Sequence, residues 1–350
     1  MRALAFGCVL LSACACQHAS SGASWPEADA LFHQDPRWLG ADAAFSVKLG
    51  DDRVLWLFGD TFVAKTAANK RSESTMVRNS VALQVGLEPT SASMSFAWKG
   101  TLAAPSSYFA EDGNRWYWPG HGVAIGNAVV IFLQRQQSTG SGAFGFEAEG
   151  WRVAICDDTR GDPSTWTWRM ITPSSPRAGI FVGSAVNVID QHVVVLAQRE
   201  PGDHAGFLVR WDTQKLLGDD VDSAEWWTGS SWSATGEPAV VLSNAGPESS
   251  LHFDSTRKKW VHVRSEGFGS TTIVVATADH IEGPWSAWSV AFRPPESDQK
   301  NLLVYAAKAH PELSAPEGKL AVTYATNDTD FARLVSDSSI YFPRFVAIGF

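Results

Sequence analysis

Hydrophobic residues along this chain occur in short segments, not in long helical patterns. The segments are rich in Val, Ile, Phe and Trp, and they are separated by Gly, Asp, Asn, Ser and Pro. This is the pattern of β-strands joined by turns. The best helical candidate is the short polar stretch at residues 213–220, with one further turn near residues 26–32. The sequence therefore predicts an all-β protein.

The predicted strands fall into five groups of three or four. Most groups repeat a short strand, a tight polar turn such as G-D-D-R, I-G-N or I-D-Q, and then a more apolar strand. Each group covers roughly 65 residues, and repetition of small antiparallel sheets is typical of β-propellers, which leave few exposed sheet edges. We predict a single five-bladed β-propeller domain at residues 25–350. A β-sandwich fits less well, because one sandwich seldom needs so many hairpins.

The N-terminus has the features of an export signal. One early cation precedes a short apolar run, which is too short to cross a bilayer. The run ends in Leu11-Ser12-Ala13-Cys14, which resembles a bacterial lipobox. We predict a lipoprotein signal peptide at residues 1–14, lipidation of Cys14, and a flexible tether at residues 15–24. Ordinary secretion with cleavage a few residues later is the alternative, and in both cases the protein is exported to the cell envelope or beyond.

Composition narrows the classes of partner. A hydrophobic content of 45% and a charged content of 19% indicate a globular protein with a large core. A net charge of −9 without a basic cluster argues against nucleic acid, and favours a neutral or mildly polar ligand. Of four cysteines, only Cys156 lies in the body of the chain, so neither a disulfide framework nor a thiolate metal cluster is expected. We expect a monomer that contacts the membrane only through its anchor.

The candidate chemistry centres on two aspartates. In R-V-L-W-L-F-G-D-T an intensely apolar strand ends at Asp60, and Asp42 stands eighteen positions earlier, at the start of the preceding strand. If the two strands are neighbours, both carboxylates lie at one end of the same sheet, and a carboxyl pair is the machinery of glycosidic bond cleavage. Asp60 could instead cap its own turn. No zinc-hydrolase spacing and no G-x-S-x-G motif occurs, so no cofactor or metal is predicted, although a structural calcium ion stays open by fold analogy.

Several longer motifs resemble those of a known family. They are G-A-D-A-A-F-S-V-K-L, W-L-F-G-D-T-F, R-N-S, W-Y-W-P-G-H-G, P-E-S-S, G-P-W-S, A-K-A-H-P-E-L and I-Y-F-P-R-F. With them the chain resembles the five-bladed β-propeller glycoside hydrolases, most nearly a secreted bacterial lineage catalogued as a domain of unknown function that includes endo-D-arabinanases. The resemblance implies catalysis by Asp42 and Asp60. Relatives often have Gly-Asp-Gly where this chain has Ala41-Asp42-Ala43, so added methyl groups are expected either to narrow the site or to alter its substrate.

Other candidate residues come from their positions before or within the predicted strands. Two further catalytic candidates are Glu248, in P-E-S-S, and His310, which is equally compatible with a hydrogen-bonded core histidine. Trp118 is a plausible stacking platform for a sugar ring. The candidates for substrate binding are Arg78, Asn79, Trp118, His121, Ser184, Lys308 and Asn327.

These observations predict an exported glycoside hydrolase that acts on a polysaccharide, with an arabinan-type furanose polymer as one candidate. Two alternatives remain from sequence. The first is a surface lipoprotein that binds carbohydrate without cleaving it, and the second is an interaction scaffold, because propellers support many unrelated functions.

Overall fold

The computed structural model describes residues 22–140 and 145–350. The predicted signal peptide and the lipidation site at Cys14 lie outside the described residues. So does most of the predicted tether, but its last two residues, Ala23–Ser24, form a β-strand that pairs with the final strand of the chain. The first strand of the described structure thus begins two residues before the predicted domain start at residue 25.

The described chain is built mainly of strands arranged in five antiparallel sheets, which form a ring. It begins with β1 (Ala23–Ser24) and α1 (Pro26–Asp29). Blade 1 contains β2 (Trp38–Gly50), β3 (Arg53–Ala64), β4 (Ser74–Val77), β5 (Ser80–Val85) and β6 (Ser93–Ala97), followed by a separate pair, β7 (Lys99–Gly100) and β8 (Pro105–Ser106). Blade 2 contains β9 (Arg115–Ile125), β10 (Ala128–Ser138), β11 (Phe146–Cys156) and β12 (Arg169–Ile171).

The second half of the ring follows the same plan. Blade 3 contains β13 (Ile180–Ile189), β14 (His192–Arg199), β15 (Gly206–Asp212), the helix α2 (Thr213–Leu217), β16 (Glu225–Trp227) and β17 (Trp232–Ser233). Blade 4 contains β18 (Ser250–Asp254), β19 (Lys259–Ser265), β20 (Ile273–Ala278) and β21 (Ser289–Phe292). Blade 5 contains β22 (Leu302–Ala309), β23 (Leu320–Asp328), the helix α3 (Phe331–Ser336) and β24 (Arg344–Ile348), and β1 completes its sheet.

The predicted five-bladed β-propeller is thus confirmed. Both short helical stretches predicted from sequence are present, as α2 and as α1 with the 3-10 turn Ala30–His33, whereas α3 was not predicted. Further 3-10 turns lie at Arg71–Glu73, Pro163–Thr165, Val221–Ser223 and Pro295–Asp298. Across residues 22–140 and 145–350, no helix has the length and apolar character needed to span a membrane.

Each blade buries both of its faces against its neighbours. In β10, Val129 and Ile131 face the core between blades 1 and 2, while Val130 and Phe132 face the core between blades 2 and 3. Side chains alternate between the faces of a strand, so a strand covered on both sides is apolar throughout. This explains the continuous run A-V-V-I-F-L.

The ring closes through contacts between first strands. The strands β2, β9, β13, β18 and β22 each contact the next around the axis, and β22 contacts β2. Because the N-terminal strand β1 pairs with β24, blade 5 is built from both ends of the domain. The first strands therefore line a central channel, and their polar side chains meet there.

We expect Phe132→Ala to destabilise the domain strongly. Phe132 is fully buried between blades 2 and 3, and its ring centroid lies 5.6 Å from that of Trp211. Removing a buried phenyl ring costs about 3–5 kcal/mol. Urea unfolding followed by tryptophan fluorescence measures the loss, with Met170→Ala, at a 43% exposed position, as the control. Equal losses in the two variants would contradict the packing between these blades.

Candidate active site

An acidic pocket of about 440 Å³ opens at one end of the channel. All five blades contribute to its wall, including Asp42 from β2, Trp118 from β9, His204 from blade 3, Glu248 from the segment before β18, and Tyr305 from β22. A smaller cavity is lined by later parts of the same first strands, so it lies towards the other end of the channel. Four acidic residues line the pocket, namely Asp42, Asp60, Glu248 and Glu266.

The pairing of β2 with β3 brings Asp42 and Asp60 together. Ala41 pairs with Thr61 and Ala43 pairs with Phe58, so the register shifts around Asp42, which faces Gly59 and Asp60 across the bulge. Gly59 leaves room for this arrangement, because a methyl group there would overlap the Asp42 carboxylate. Neighbouring strands of one hairpin thus place both aspartates at the pocket, and their catalytic roles remain predictions.

Asp42 lies in an environment that favours its neutral form. Its Oδ2 accepts hydrogen bonds from the hydroxyls of Tyr305, at 2.8 Å, and Tyr341, at 3.2 Å. Burial, and then the negative charges of Glu248 and Asp60, raise the pKa of Asp42 to about 8, and the two tyrosine hydrogen bonds only partly oppose this. At neutral pH the Asp42 carboxyl group is therefore protonated.

Asp60 lies in a different environment. Its Oδ1 accepts a hydrogen bond from Trp118 Nε1 at 2.9 Å, and its Oδ2 forms an ion pair with Arg78 Nη1 at 3.2 Å. Arg78 is held in turn over the ring of Trp116, 4.3 Å from its centroid. Burial raises the pKa of Asp60, while Arg78 and Trp118 oppose that effect by stabilising the anion. Both carboxylate oxygens are thus already engaged by the protein.

Glu248 approaches from blade 4, and its side chain is 27% exposed. Its Oε1 lies 3.9 Å from Lys308 Nζ. The pKa of Glu248 is raised, because the effect of burial outweighs that of the positive charge of Lys308, which lowers it. No residue in the described part of the chain hydrogen-bonds to this carboxylate, which leaves its oxygens available to a ligand or to water.

Three predicted site residues do not reach the pocket. His310 is fully buried, with Nδ1 2.5 Å from Ser46 Oγ and Nε2 2.7 Å from Thr323 Oγ1. Asn79 binds the backbone of two neighbouring segments, including the carbonyl oxygen of Tyr117 at 2.8 Å. Ser184 is buried and donates to Gln198.

The polar side chains of these three residues are hydrogen-bonded inside the protein. The catalytic role of His310 and the substrate-binding roles of Asn79 and Ser184 remain predictions, and the arrangement around His310 favours the alternative of a hydrogen-bonded core histidine.

Of three further residues predicted to bind substrate, only one lines the acidic pocket. His121 lines the smaller cavity and not the acidic pocket. Its Nδ1 accepts a hydrogen bond from Val186 N at 2.8 Å, and its Nε2 lies 3.0 Å from the carbonyl oxygen of Ser46. Lys308 is buried and is not among the residues that line the pocket, so its predicted contact with substrate remains a prediction. Asn327 does line the pocket, and its amide lies 3.4 Å from the Tyr305 hydroxyl.

The sequence analysis missed the two tyrosines that hold Asp42. Tyr341 belongs to the motif I-Y-F-P-R-F, whereas Tyr305 stands two positions before the motif A-K-A-H-P-E-L and outside every motif described above. Tyr341 has a left-handed backbone, with φ of 65°. A non-glycine residue in this conformation is strained and is often found at functional sites. No pattern of hydrophobicity reports such a conformation.

The described residues contain no group of three or more His, Cys, Asp or Glu side chains arranged to hold a metal ion. The pocket instead presents carboxylates, phenol hydroxyls and aromatic rings. Among these, the ring of Phe268 is 57% exposed and its centroid lies 5.0 Å from that of Tyr305.

Fold and site together define a five-bladed β-propeller with an acidic pocket at one end of its axis. The chain belongs to the family described as Domain of unknown function (DUF5005), whose sequence profile matches residues 27–349. The expected resemblance to a propeller lineage of this kind is thereby confirmed. A search of curated proteins finds no match to the sequence.

Solved structures share the fold at low sequence identity. A candidate hydrolase from Bacteroides ovatus aligns with a TM-score of 0.74 and 18% identity, over 95% of this chain and 92% of its own. A xylan β-1,4-xylosidase from Bacillus halodurans aligns with a TM-score of 0.50 and 8% identity, over 90% of this chain but only 54% of its own. A protein of unknown function from Dyadobacter fermentans aligns with a TM-score of 0.50 and 9% identity, over 88% and 76%.

The raised pKa of Asp42 predicts a specific pH dependence of stability. In the unfolded chain this carboxyl ionises near its ordinary pKa of 3.8, whereas in the folded protein it ionises near 8. Between these values the folded state binds more protons, so the free energy of unfolding falls as pH rises, by at most about 1.4 kcal/mol per pH unit. Asp42→Asn removes this contribution.

Urea unfolding of wild type and Asp42→Asn between pH 4 and pH 9 tests the prediction. The stability of the wild type relative to the variant should decline up to about pH 8 and then level off. Asp52→Asn, at an exposed aspartate, is the control. A difference between wild type and Asp42→Asn that does not change with pH would show that Asp42 is ionised in the folded protein.

Proposed function

We propose that this protein is a glycoside hydrolase in which Asp42 is the proton donor and Glu248 is the ionised partner. The observation that carries the proposal is the contrast between carboxyl groups in one pocket. Asp42 is held neutral near pH 7, whereas Glu248 has a lysine beside it and unengaged oxygens. Hydrolysis of a glycosidic bond needs one carboxyl group in each state.

The chemistry follows from these states. As the bond between the anomeric carbon and the leaving oxygen breaks, Asp42 transfers its proton to that oxygen. Glu248 either takes a proton from the water that adds to the anomeric carbon, or bonds to that carbon itself before water releases the sugar. In the first case Glu248 releases the proton it has taken to solvent, and Asp42 regains a proton from solvent. In the second case Asp42 takes a proton from the water that releases the sugar from Glu248.

Asp60 has a supporting role in this proposal. The sequence paired it with Asp42 for catalysis, but both Asp60 oxygens are engaged by Trp118 and Arg78. Its negative charge is one of the causes that raise the pKa of Asp42. Asp60 therefore helps to keep the acid protonated, and Arg78 acts through Asp60.

Aromatic rings on the pocket wall support a carbohydrate as the substrate. Trp118 and Phe268 both line the pocket, and Phe268 remains more than half exposed. Aromatic faces pack against the C–H surfaces of sugars, while neighbouring polar groups such as Asn327 bind hydroxyls. The fold shared with a xylosidase agrees with a polysaccharide substrate, and the sequence resemblance favours an arabinan-type furanose polymer. From the N-terminal sequence we also propose export and anchoring through Cys14, as a monomer.

Incubation with a panel of polysaccharides that includes D-arabinan, arabinogalactan and xylan, followed by product analysis, tests the function. Glu248→Gln and Asp42→Asn should each lower kcat by about 10²–10⁴-fold, because each removes a proton-transfer group. The exposed pair Asp52→Asn and Glu317→Gln controls for the loss of surface charge. Binding to a glycan without any product from the wild type would favour the carbohydrate-binding alternative, and neither binding nor product would favour a scaffold.

The position of the Asp42 carboxyl group can be tested through Gly59. In Gly59→Ala the added methyl group forces Oδ1 of Asp42 to move, which separates the acid from its tyrosine partners. We expect kcat to fall at least about tenfold, since small displacements of a catalytic group are costly. Gly150→Ala, where a Cβ atom meets no neighbour, is the matched control. Full activity in Gly59→Ala would argue against Asp42 as the acid.

A further inference from the structure

Lys308 is a buried cation beside the site that the proposed chemistry does not use. The residue is 1% exposed and does not line the acidic pocket. Burial lowers its pKa to about 8, and the charges of Glu248 and Asp42 oppose this effect. Burying an ammonium group costs free energy unless polar partners replace the water around it. The partners of Lys308 therefore indicate which groups it holds in place.

These partners are backbone carbonyl groups on two different blades. Lys308 Nζ donates to the carbonyl oxygen of Ala43 in β2 and, at 2.6 Å, to that of Ala306 in β22. The ammonium also lies 4.5 Å from the ring centroid of Phe45. One side chain therefore joins the first strands of blades 1 and 5, where the ring closes.

Both carbonyl groups belong to distorted backbone. Ala43 has a φ of 66° and Ala306 a φ of 59°, which is the left-handed region that alanine seldom occupies. The register of each strand with its neighbour also shifts at these points. Such conformations persist only where surrounding contacts hold them, and the ammonium of Lys308 supplies such a contact for both.

Each distorted alanine follows a residue of the site directly. Asp42 precedes Ala43, and Tyr305 precedes Ala306. The hydroxyl of Tyr305 donates to Asp42 Oδ2 at 2.8 Å across the same boundary between blades. The bulges of β2 and β22 are therefore linked twice. On the pocket side the link is the hydrogen bond from Tyr305 to Asp42, and on the buried side it is the pair of hydrogen bonds that Lys308 donates to Ala43 and Ala306.

We propose that Lys308 is a positioning residue whose ammonium group joins the bulges of β2 and β22 and so holds Asp42 against the hydroxyl of Tyr305. This inference rests on the function proposed above. Lys308 does not touch substrate, because Ala43 and Ala306 form the pocket wall in front of it. Its charge, 3.9 Å from Glu248, also favours the ionised form of that carboxylate.

Kinetics of Lys308→Met provide the first test, since methionine has similar length but neither charge nor donors. We expect kcat on the polysaccharide that the wild type cleaves to fall at least about 100-fold, with KM changed less than about threefold. Lys48→Met, at an exposed lysine of the same strand as Asp42, is the control. A raised KM with unchanged kcat would show a substrate contact and overturn the proposal.

A double-mutant cycle separates positioning from a general structural effect. If Lys308 acts through the contact between Tyr305 and Asp42, the losses in kcat from Lys308→Met and Tyr305→Phe should be far from additive. Additive losses would overturn the proposal. If Lys308→Met does not fold, Tyr305→Phe alone decides, because wild-type kcat in that variant would show that the contact which Lys308 is proposed to hold has no catalytic role.

A readout without turnover distinguishes failure of this inference from failure of the proposed function. The difference in stability between the wild type and Asp42→Asn levels off at a pH that reports the pKa of Asp42. This pKa also depends on Glu248, Asp60 and the two tyrosines. Introducing Lys308→Met into both proteins should move that pH upward, because a nearby positive charge and an ordered hydrogen bond are lost. An unchanged pH would overturn the inference even if the wild type hydrolyses polysaccharide.

Discussion

The structure depends on the closure of the ring, because every blade is apolar on both faces. A blade can bury both faces only between two neighbours, and blade 5 contacts blade 1 where β22 and β23 lie against β2. Closure brings the first strands of all blades around one axis. Their bulges and polar side chains then meet along that axis. The candidate site is thus a consequence of how the ring closes.

Negative charge is concentrated at one end of this axis, and the neighbouring cations compensate some of the carboxyl groups more than others. Arg78 neutralises Asp60, and Lys308 lies beside Glu248, but Asp42 faces two phenol groups and no cation within hydrogen-bonding distance among its described contacts. Several buried carboxylates cannot all ionise at low cost, so the proton stays on the group with the poorest compensation. The uneven placement of cations therefore favours the protonated form of Asp42, which is the acid in the proposed function.

Strained backbone also occurs at this pocket. Ala43, Ala306 and Tyr341 have positive φ, and all three line the acidic pocket. A glycine at position 43 would avoid the strain that alanine brings, which is roughly 1–2 kcal/mol for a residue with a Cβ atom. The hydrogen bond from Lys308 to the Ala43 carbonyl offsets part of this cost. Strain and its compensation are both built into the boundary between blades 1 and 5.

The sequence alone determined the number of blades, most strands of each blade and the proximity of Asp42 to Asp60. Alternation of side chains and turn residues act over a few positions, and two strands of one hairpin must be neighbours. Only the tertiary structure decided that Glu248 and Tyr305 reach the acid while His310, two residues beyond Lys308, turns into the core. Those contacts join segments far apart in the chain, and bulges that shift the register decide which side chains face the pocket. Local sequence patterns record neither the closure of the ring nor the position of a bulge within a strand.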